Sequence, residues 1–328
     1  MMKPIRCGIT VGFPTLVILL LGLATQAAFT QKCSAEILRV GKPAAAVFTY
    51  ALLDVGVRAG FFKKQGLDVE ISAFGGGTRL VQAETAGSID IGLNTGPDMV
   101  LIIKGAPVKA VASIANSPLD LCLLVRPDLP IRTAADLKGA KISVSSTVAI
   151  TAWLTRELSR QEGWGPEGIE LVTSQTGPAF ALLKTKQIDG ITTDLGTCLQ
   201  AQKRGDAKVV VYFNERVKQI AMYAVFATDK LIAEQPDTVR KFLAGWFETL
   251  IYVRTHKSET LQVAHEVTLA DEDILASLYD LVIPLMSRDG RFDQKALDTL
   301  AESYVDLKLL PTKPEMTQTY TEQFLARQ

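Results

Sequence analysis

Histidine is nearly absent from this chain, with two residues among 328, and the scarcity removes most metal-centred and proton-transfer chemistry at once. Both His256 and His265 fall in a late helical stretch, and the string HEVTL lacks the second histidine that an HExxH zinc motif requires. They read as solvated surface residues. Serine stands in no GxSxG elbow, and no GxxxxGK[ST] phosphate loop occurs. Of four cysteines, only Cys122 and Cys198 lie beyond the N-terminal leader. Cys122 sits in the apolar run LCLLV and Cys198 in a helical stretch, so two buried thiols are expected rather than a disulfide. Charge of one sign is lacking too: 35 Lys and Arg balance 35 Asp and Glu, which gives nucleic acid or anionic lipid nothing to hold. There is no long internal repeat, low-complexity segment or heptad run.

What is present begins with a leader. Lys3 and Arg6 precede an uncharged stretch whose apolar heart, TLVILLLGLA, covers residues 15–24. That is short of the ~20 apolar residues a membrane span needs, and Gly12 and Pro14 interrupt it. With small residues at Ala27, Ala28, Ser34 and Ala35, residues 1–35 read as a signal peptide, which places the mature protein in the periplasm or outside the cell. Cleavage after Ala35 or after Ala27 would each satisfy the small-residue rule. Cutting after Ala35 leaves 293 residues with 32 basic and 35 acidic side chains, the span of two ordinary domains.

From Glu36 short β-like runs alternate with helical ones, the pattern of an α/β protein whose parallel sheets are covered by helices. Strands are expected at 37–40, 67–73, 89–93, 108–114, 121–125, 141–144, 169–173, 188–192, 209–213 and 223–227. Thr133 and Asp136 form an N-terminal capping pattern, with Gly139 ending that short helix. After Lys230 the strands stop, and 239–252, 258–267, 273–285 and 294–304 show helical spacing. Such a tail is expected to pack back on a discontinuous first lobe, 36–125 plus 223–328, leaving 126–222 as the second. The crossings between lobes are expected at 126–130 and near 217–223.

In open α/β sheets ligands collect beyond the carboxyl ends of the strands. Six loops qualify: 42–50, 75–78, 94–98, 145–150, 174–178 and 192–196. All are rich in Gly, Ala, Ser and Thr, a lining suited to reversible binding through backbone amides and hydroxyls. The candidate ligand-binding residues are Ala45, Phe48, Gly75, Gly76, Gly77, Thr78, Thr95, Ser145, Ser146, Thr147, Thr176 and Asp194. Gly75, Gly76 and Gly77 let a ligand approach the backbone closely. Asp194 either meets a ligand amine or hydroxyl or caps the helix that follows it. Asp98 carries the same ambiguity, with capping favoured. Phe48 and Tyr50 either stack on an aromatic ligand or belong to the core. Lys42 and Arg79 are the only basic residues of these loops, both at their edges. No catalytic residue, metal or cofactor is expected.

The string AGFFKKQGLDVEISAFGGGTRLVQAETAGSIDIG, followed by KGAPVKAVASI, RTAADLKGAKISVSS and ALLKTKQIDGI, resembles the NMT1/THI5-like periplasmic substrate-binding proteins of nitrate, sulfonate, taurine and thiamine-precursor ABC transporters. The resemblance runs over residues 37–229. It implies a type II periplasmic-binding fold: two α/β lobes joined by a double crossover, clasping a ligand between the glycine turn at Gly75 to Thr78 and the turn at Ser145 to Thr147. The implied protein is a monomer that captures a small organic solute, anions included, and docks on an ABC permease. The cysteine-rich iron motif of the pyrimidine-making branch of this group is missing. A ligand-sensing regulator using the same clasp is the alternative, and a small-molecule enzyme on this fold is a further one.

Overall fold

A computed structural model of the chain describes residues 36–326; the leader expected at 1–35 lies outside them. Ten strands occur: β1 (Glu36–Lys42), β2 (Leu67–Ala73), β3 (Ile91–Thr95), β4 (Val108–Ala115), β5 (Leu121–Val125), β6 (Lys141–Val144), β7 (Glu170–Thr173), β8 (Gly190–Asp194), β9 (Lys208–Tyr212) and β10 (Tyr223–Thr228). They form two five-stranded sheets, ordered β2-β1-β3-β10-β4 and β7-β6-β8-β5-β9. Each sheet is parallel except for one strand arriving from the other half of the chain: β10 runs antiparallel to β3 and β4, and β5 antiparallel to β8 and β9.

Ten strands were expected and ten are found among the described residues, but β3 and β8 both begin two residues late. The cause is the same in each. Ile89-Asp90 and Ile188-Asp189 precede the strands, each aspartate side chain accepting a backbone N–H of the neighbouring strand: Arg39 N to Asp90 at 3.1 Å and Lys141 N to Asp189 at 2.9 Å. An acid that satisfies an edge amide ends one ladder before the next begins, while the isoleucine ahead of it plugs the core at 3% and 1% exposure.

The first crossing differs from expectation. β5 pairs with β8 and β9 rather than with the first sheet, so the chain changes sheets between Ala115 and Leu121 instead of at 126–130. LCLLV is buried along almost its whole length as a central strand, which period-two patterning alone cannot assign to one sheet or the other. The chain returns between Arg216 and Tyr223.

The helices are α1 (Phe48–Arg58), α2 (Phe61–Lys64), α3 (Gly77–Thr85), α4 (Met99–Ile103), α5 (Ile150–Gln161), α6 (Thr176–Lys184), α7 (Leu195–Lys203), α8 (Phe213–Arg216), α9 (Asp229–Glu234), α10 (Pro236–Val253), α11 (Lys257–Thr268), α12 (Glu272–Val282) and α13 (Gln294–Asp306). Pro236 opens α10 at its first turn, where a missing N–H costs nothing. α10 lays Phe242 on Phe62 with ring centroids 5.1 Å apart and buries Trp246 completely. The tail does not stay on the first sheet's side. Lys203 of α7 reaches Asp271 at 2.8 Å and Asp273 at 2.6 Å at the start of α12, and Trp153 of α5 donates its indole N–H to Asp306 at 3.1 Å. Acids grouped at the start of α12 suit its dipole, and they also tie it to the second sheet's helices.

Cys122 and Cys198 form a disulfide, overturning the expectation of two free thiols. α7 crosses β5 and brings both Cα atoms to 6.7 Å, a proximity that a separation of 76 residues hides in the sequence. A loop that long makes the bond worth about 2–4 kcal/mol through the unfolded chain. Replacing both cysteines by serine is therefore expected to lower the unfolding free energy, read by urea titration, by that amount, and alkylation of unfolded, unreduced protein beginning at Glu36 to leave the mass unchanged. Two alkyl adducts without reduction would show the thiols free.

Candidate ligand-binding site

The sheet topology brings six strand ends together. β1 and β3 finish at Lys42 and Thr95, and Tyr223, the first residue of β10, pairs with both Thr95 and Ala115. In the second sheet Leu121, the first residue of β5, pairs with Asp194, the last of β8. Because each antiparallel strand starts where the parallel ones stop, both chain crossings lie at the carboxyl ends, where ligands gather.

Asp120 stands at the end of the first crossing. It is 6% exposed, accepts a hydrogen bond from Thr49 Oγ1 at 2.8 Å, and accepts another from the Tyr223 hydroxyl. Tyr50 meets the Tyr223 ring edge-on at 6.2 Å. Burial pushes the Asp120 carboxyl up to about 6, against the pull of its two donors, and nearby Asp194 pushes it further. Asp194 caps α7, accepting from Thr197 N at 2.8 Å and Thr197 Oγ1 at 2.6 Å.

A cavity of about 210 Å³ opens between these groups. Its walls come from Ala46, Val47 and Phe48 ahead of and at the start of α1, Asp120, the turn at Asp194 to Thr197 with Gln200, and the α11 to α12 segment including Leu269, Ile274 and Leu278. Of the twelve residues the sequence marked, Phe48 and Asp194 line it. Phe48 is at once core and wall, at 3% exposure. Thr176 joins through a chain of hydroxyls, 3.3 Å from Thr193 Oγ1, which donates to Asp194 at 3.3 Å.

Gly77 and Thr95 meet at Asp98. Thr95 and Asp98 complete a capping box, with Thr95 Oγ1 donating to Asp98 at 2.6 Å. A Cβ at Gly77 would collide with the Asp98 carboxylate, so glycine is required there for close approach. That carboxylate sits at the amino end of α3, and burial raises its pKa. The glycine turn is also strapped from within: Gly76, at φ 141°, donates its N–H to Pro43 O at 2.7 Å. Its amide therefore serves the turn rather than pointing out as the sequence suggested. Ala45, Gly75 and Thr78 are exposed beside it.

Ser145, Ser146 and Thr147 do not start a helix. α5 begins at Ile150 with Ala149 as its cap, because Thr151 Oγ1 lies 3.4 Å from Ser145 N and 3.2 Å from Ser145 Oγ and holds the turn extended. Gln175 Nε2 donates to Ser145 O at 3.4 Å, tying this turn to the one before α6. Sequence reasoning passed over Asp120 and Tyr223, and Tyr50, which it left between ligand stacking and the core, is core here at 4% exposure. An acid abutting an apolar strand at Asp120-Leu121 was the available signal.

The family description "NMT1/THI5 like" matches residues 49–259, and the chain belongs to that family. The fold is that of the periplasmic binding proteins. The aliphatic sulphonate binding protein SsuA of Escherichia coli superposes with a TM-score of 0.75 at 18% identity, covering 87% of this chain and 92% of SsuA. The desulfurization enzyme DszB also superposes, with a TM-score of 0.63 at 16% identity over 88% of this chain and 97% of that one. A binding protein of Brucella abortus is 25% identical over 56% of this chain and 57% of its own length, so the chain spans a little over half of that relative. The formylaminopyrimidine-binding protein of Halalkalibacterium halodurans is 35% identical over 28% of each chain.

Behind the glycine turn, Glu84 of α3 is 2% exposed, and Asn94 Nδ2 donates to it at 3.1 Å. Burial raises its carboxyl from 4.5 to about 8, the Asn94 donor opposing and Asp98 adding to the rise. The folded protein therefore holds a proton that the unfolded chain releases, and the stability this carries is present below pH 4.5 and lost as pH climbs to about 8. Glu84→Gln is expected to remove the loss: urea unfolding of the two proteins should diverge by a few kcal/mol across that window, at about 1.4 kcal/mol per pH unit at most. Parallel stability profiles would mean that Glu84 is ionised in the fold.

Proposed function

We propose that this chain is the exported receptor of an ABC importer, capturing a small organic solute between its two sheets and presenting it to a membrane permease. The observation that supports the reading is the convergence of both sets of carboxyl strand ends on the two crossings, with a cavity there walled by residues from both halves of the chain. Two segments joining two α/β lobes, 36–115 with 223–328 and 121–216, allow hinge closure, and a solute touching both lobes would favour the closed state. The family and the superposition on SsuA agree with a receptor. Among the described residues no helix is long and apolar enough to cross a membrane.

DszB carries catalysis on the same fold, and an enzyme is the second reading. The only titratable side chains lining this cavity are Asp120 and Asp194, both already accepting hydrogen bonds, which favours holding over bond breaking.

The test is recovery and rebinding of solute. Mass spectrometry of gently purified protein is expected to identify a bound small molecule. Adding that molecule back should raise Tm with its concentration, by about 2.7 kcal/mol of added stability at a hundred times Kd. Recovery of a chemically changed molecule would favour the enzyme; no bound molecule and no shift with any solute class would contradict the receptor.

A further inference from the structure

The charge of the cavity is one-sided. None of its lining residues is Lys, Arg or His, while Asp120 and Asp194 both face it. Each carboxylate accepts only neutral donors: Thr49 and Tyr223 for Asp120, Thr197 and Thr193 for Asp194. Neither has an ion-pair partner among the described residues; Arg79, exposed at the glycine turn, is not in the cavity lining, and two other cations are committed elsewhere. Lys42, 4% exposed, is paired with Asp54 at 2.6 Å, and Lys203 is held by Asp271 and Asp273. Two acids sharing an enclosed space without a counter-charge repel, and Asp120 shows it in the push it receives from Asp194. The amino end of α3, where the helix dipole would favour an anion, is taken by the chain's own Asp98 against Gly77.

The rest of the lining is apolar: Val47, Phe48, Leu195, Leu269, Ile274 and Leu278 among others. At about 210 Å³, the space limits the solute to a small molecule. We infer that the solute is a compact cation, an amine or protonated nitrogen heterocycle whose apolar body lies against Phe48 while its N–H groups meet Asp120 and Asp194. The inference rests on the receptor reading and deepens it. Anionic solutes such as sulfonates would bring a third negative charge into a site with no cation, which a low-dielectric setting penalises heavily. A cation would relieve the repulsion that two carboxylates carry alone, and their remaining lone pairs can accept its donors.

The test uses matched probes near neutral pH: benzylamine, benzyl alcohol, benzoate and benzenesulfonate, each measured by calorimetry and thermal shift on the full mature protein. Benzylamine is expected to bind and stabilise, benzyl alcohol more weakly, and the two anions not at all. Asp194→Asn keeps a helix-capping side chain and so should leave the Tm of the free protein nearly unchanged, yet lose benzylamine affinity by roughly 30-fold. Should that variant misfold, the ranking of the four probes on the unaltered protein decides the inference by itself. Anions binding as well as or better than benzylamine, or an Asp194→Asn protein with unaltered benzylamine affinity, would overturn the inference and leave the receptor reading standing. Binding by none of the four, together with no solute recovered from purified protein, would contradict the receptor reading itself.

Discussion

A buried carboxylate at the first chain crossing organises this molecule. Asp120 ends the segment that carries the chain from the first sheet to the second, and it is tied to both the segments that meet it. Thr49 donates from the first turn of α1, and Tyr223 donates from the residue at which the chain re-enters the first sheet. Its backbone takes part as well, since Asp120 O accepts the N–H of Leu195 at the start of α7 at 2.8 Å. One residue thus ties three separate elements, α1, β10 and α7, to the start of β5. A carboxylate buried to 6% exposure is expensive unless its oxygens are satisfied, and the two hydroxyls that satisfy it come from α1 and from the first residue of β10. The geometry of the carboxyl strand ends, and hence the position of the cavity, follows from that requirement.

The interior around this junction is acidic in a way that the balanced composition of the chain conceals. Asp120, Asp194, Asp98 and Glu84 all lie at or behind the strand ends, and the first, third and fourth have carboxyl pKa values raised by burial. Lys42, at the carboxyl end of β1, is turned to Asp54 instead. Of these acids only Asp120 and Asp194 line the cavity, and a buried Glu84 that keeps its proton adds no charge; sign selection of the solute would rest on that pair. The neighbours in fold do not constrain that choice, because a shared backbone at 18% identity carries no information about which side chains face the cleft.

Much of the architecture was readable from the residues. The alternation of β-branched runs with helical spacing located all ten strands and the four tail helices, because each of those patterns is local. Paired acids after isoleucine, at Asp90 and Asp189, moved two strand starts by two residues, an effect visible only once the neighbouring strand's amide is in place. What the chain concealed were facts of juxtaposition. Sheet membership of LCLLV depends on partners far away in sequence, the Cys122 to Cys198 bond on the path of α7 over β5, and the importance of Asp120 on where Tyr223 lands. Small residues drew the eye to the Gly75 and Ser145 turns, yet Gly76 and Ser145 already have hydrogen-bond partners within the protein. Phe48 and Asp194 reached the cavity because both flank helix starts at strand ends, where the general rule for open sheets places a ligand.

If Asp120 is the junction that holds the two sheets in register, Thr49 and Tyr223 must act on it together. A double-mutant cycle of Thr49→Val and Tyr223→Phe, read by urea unfolding, tests this directly. Each single substitution should remove about 1.5–3 kcal/mol, and the pair should be non-additive by more than about 0.5 kcal/mol because they share one carboxylate. Two small losses that simply add would show that Asp120 does not couple the crossings, and the account of the cavity built on it would be contradicted.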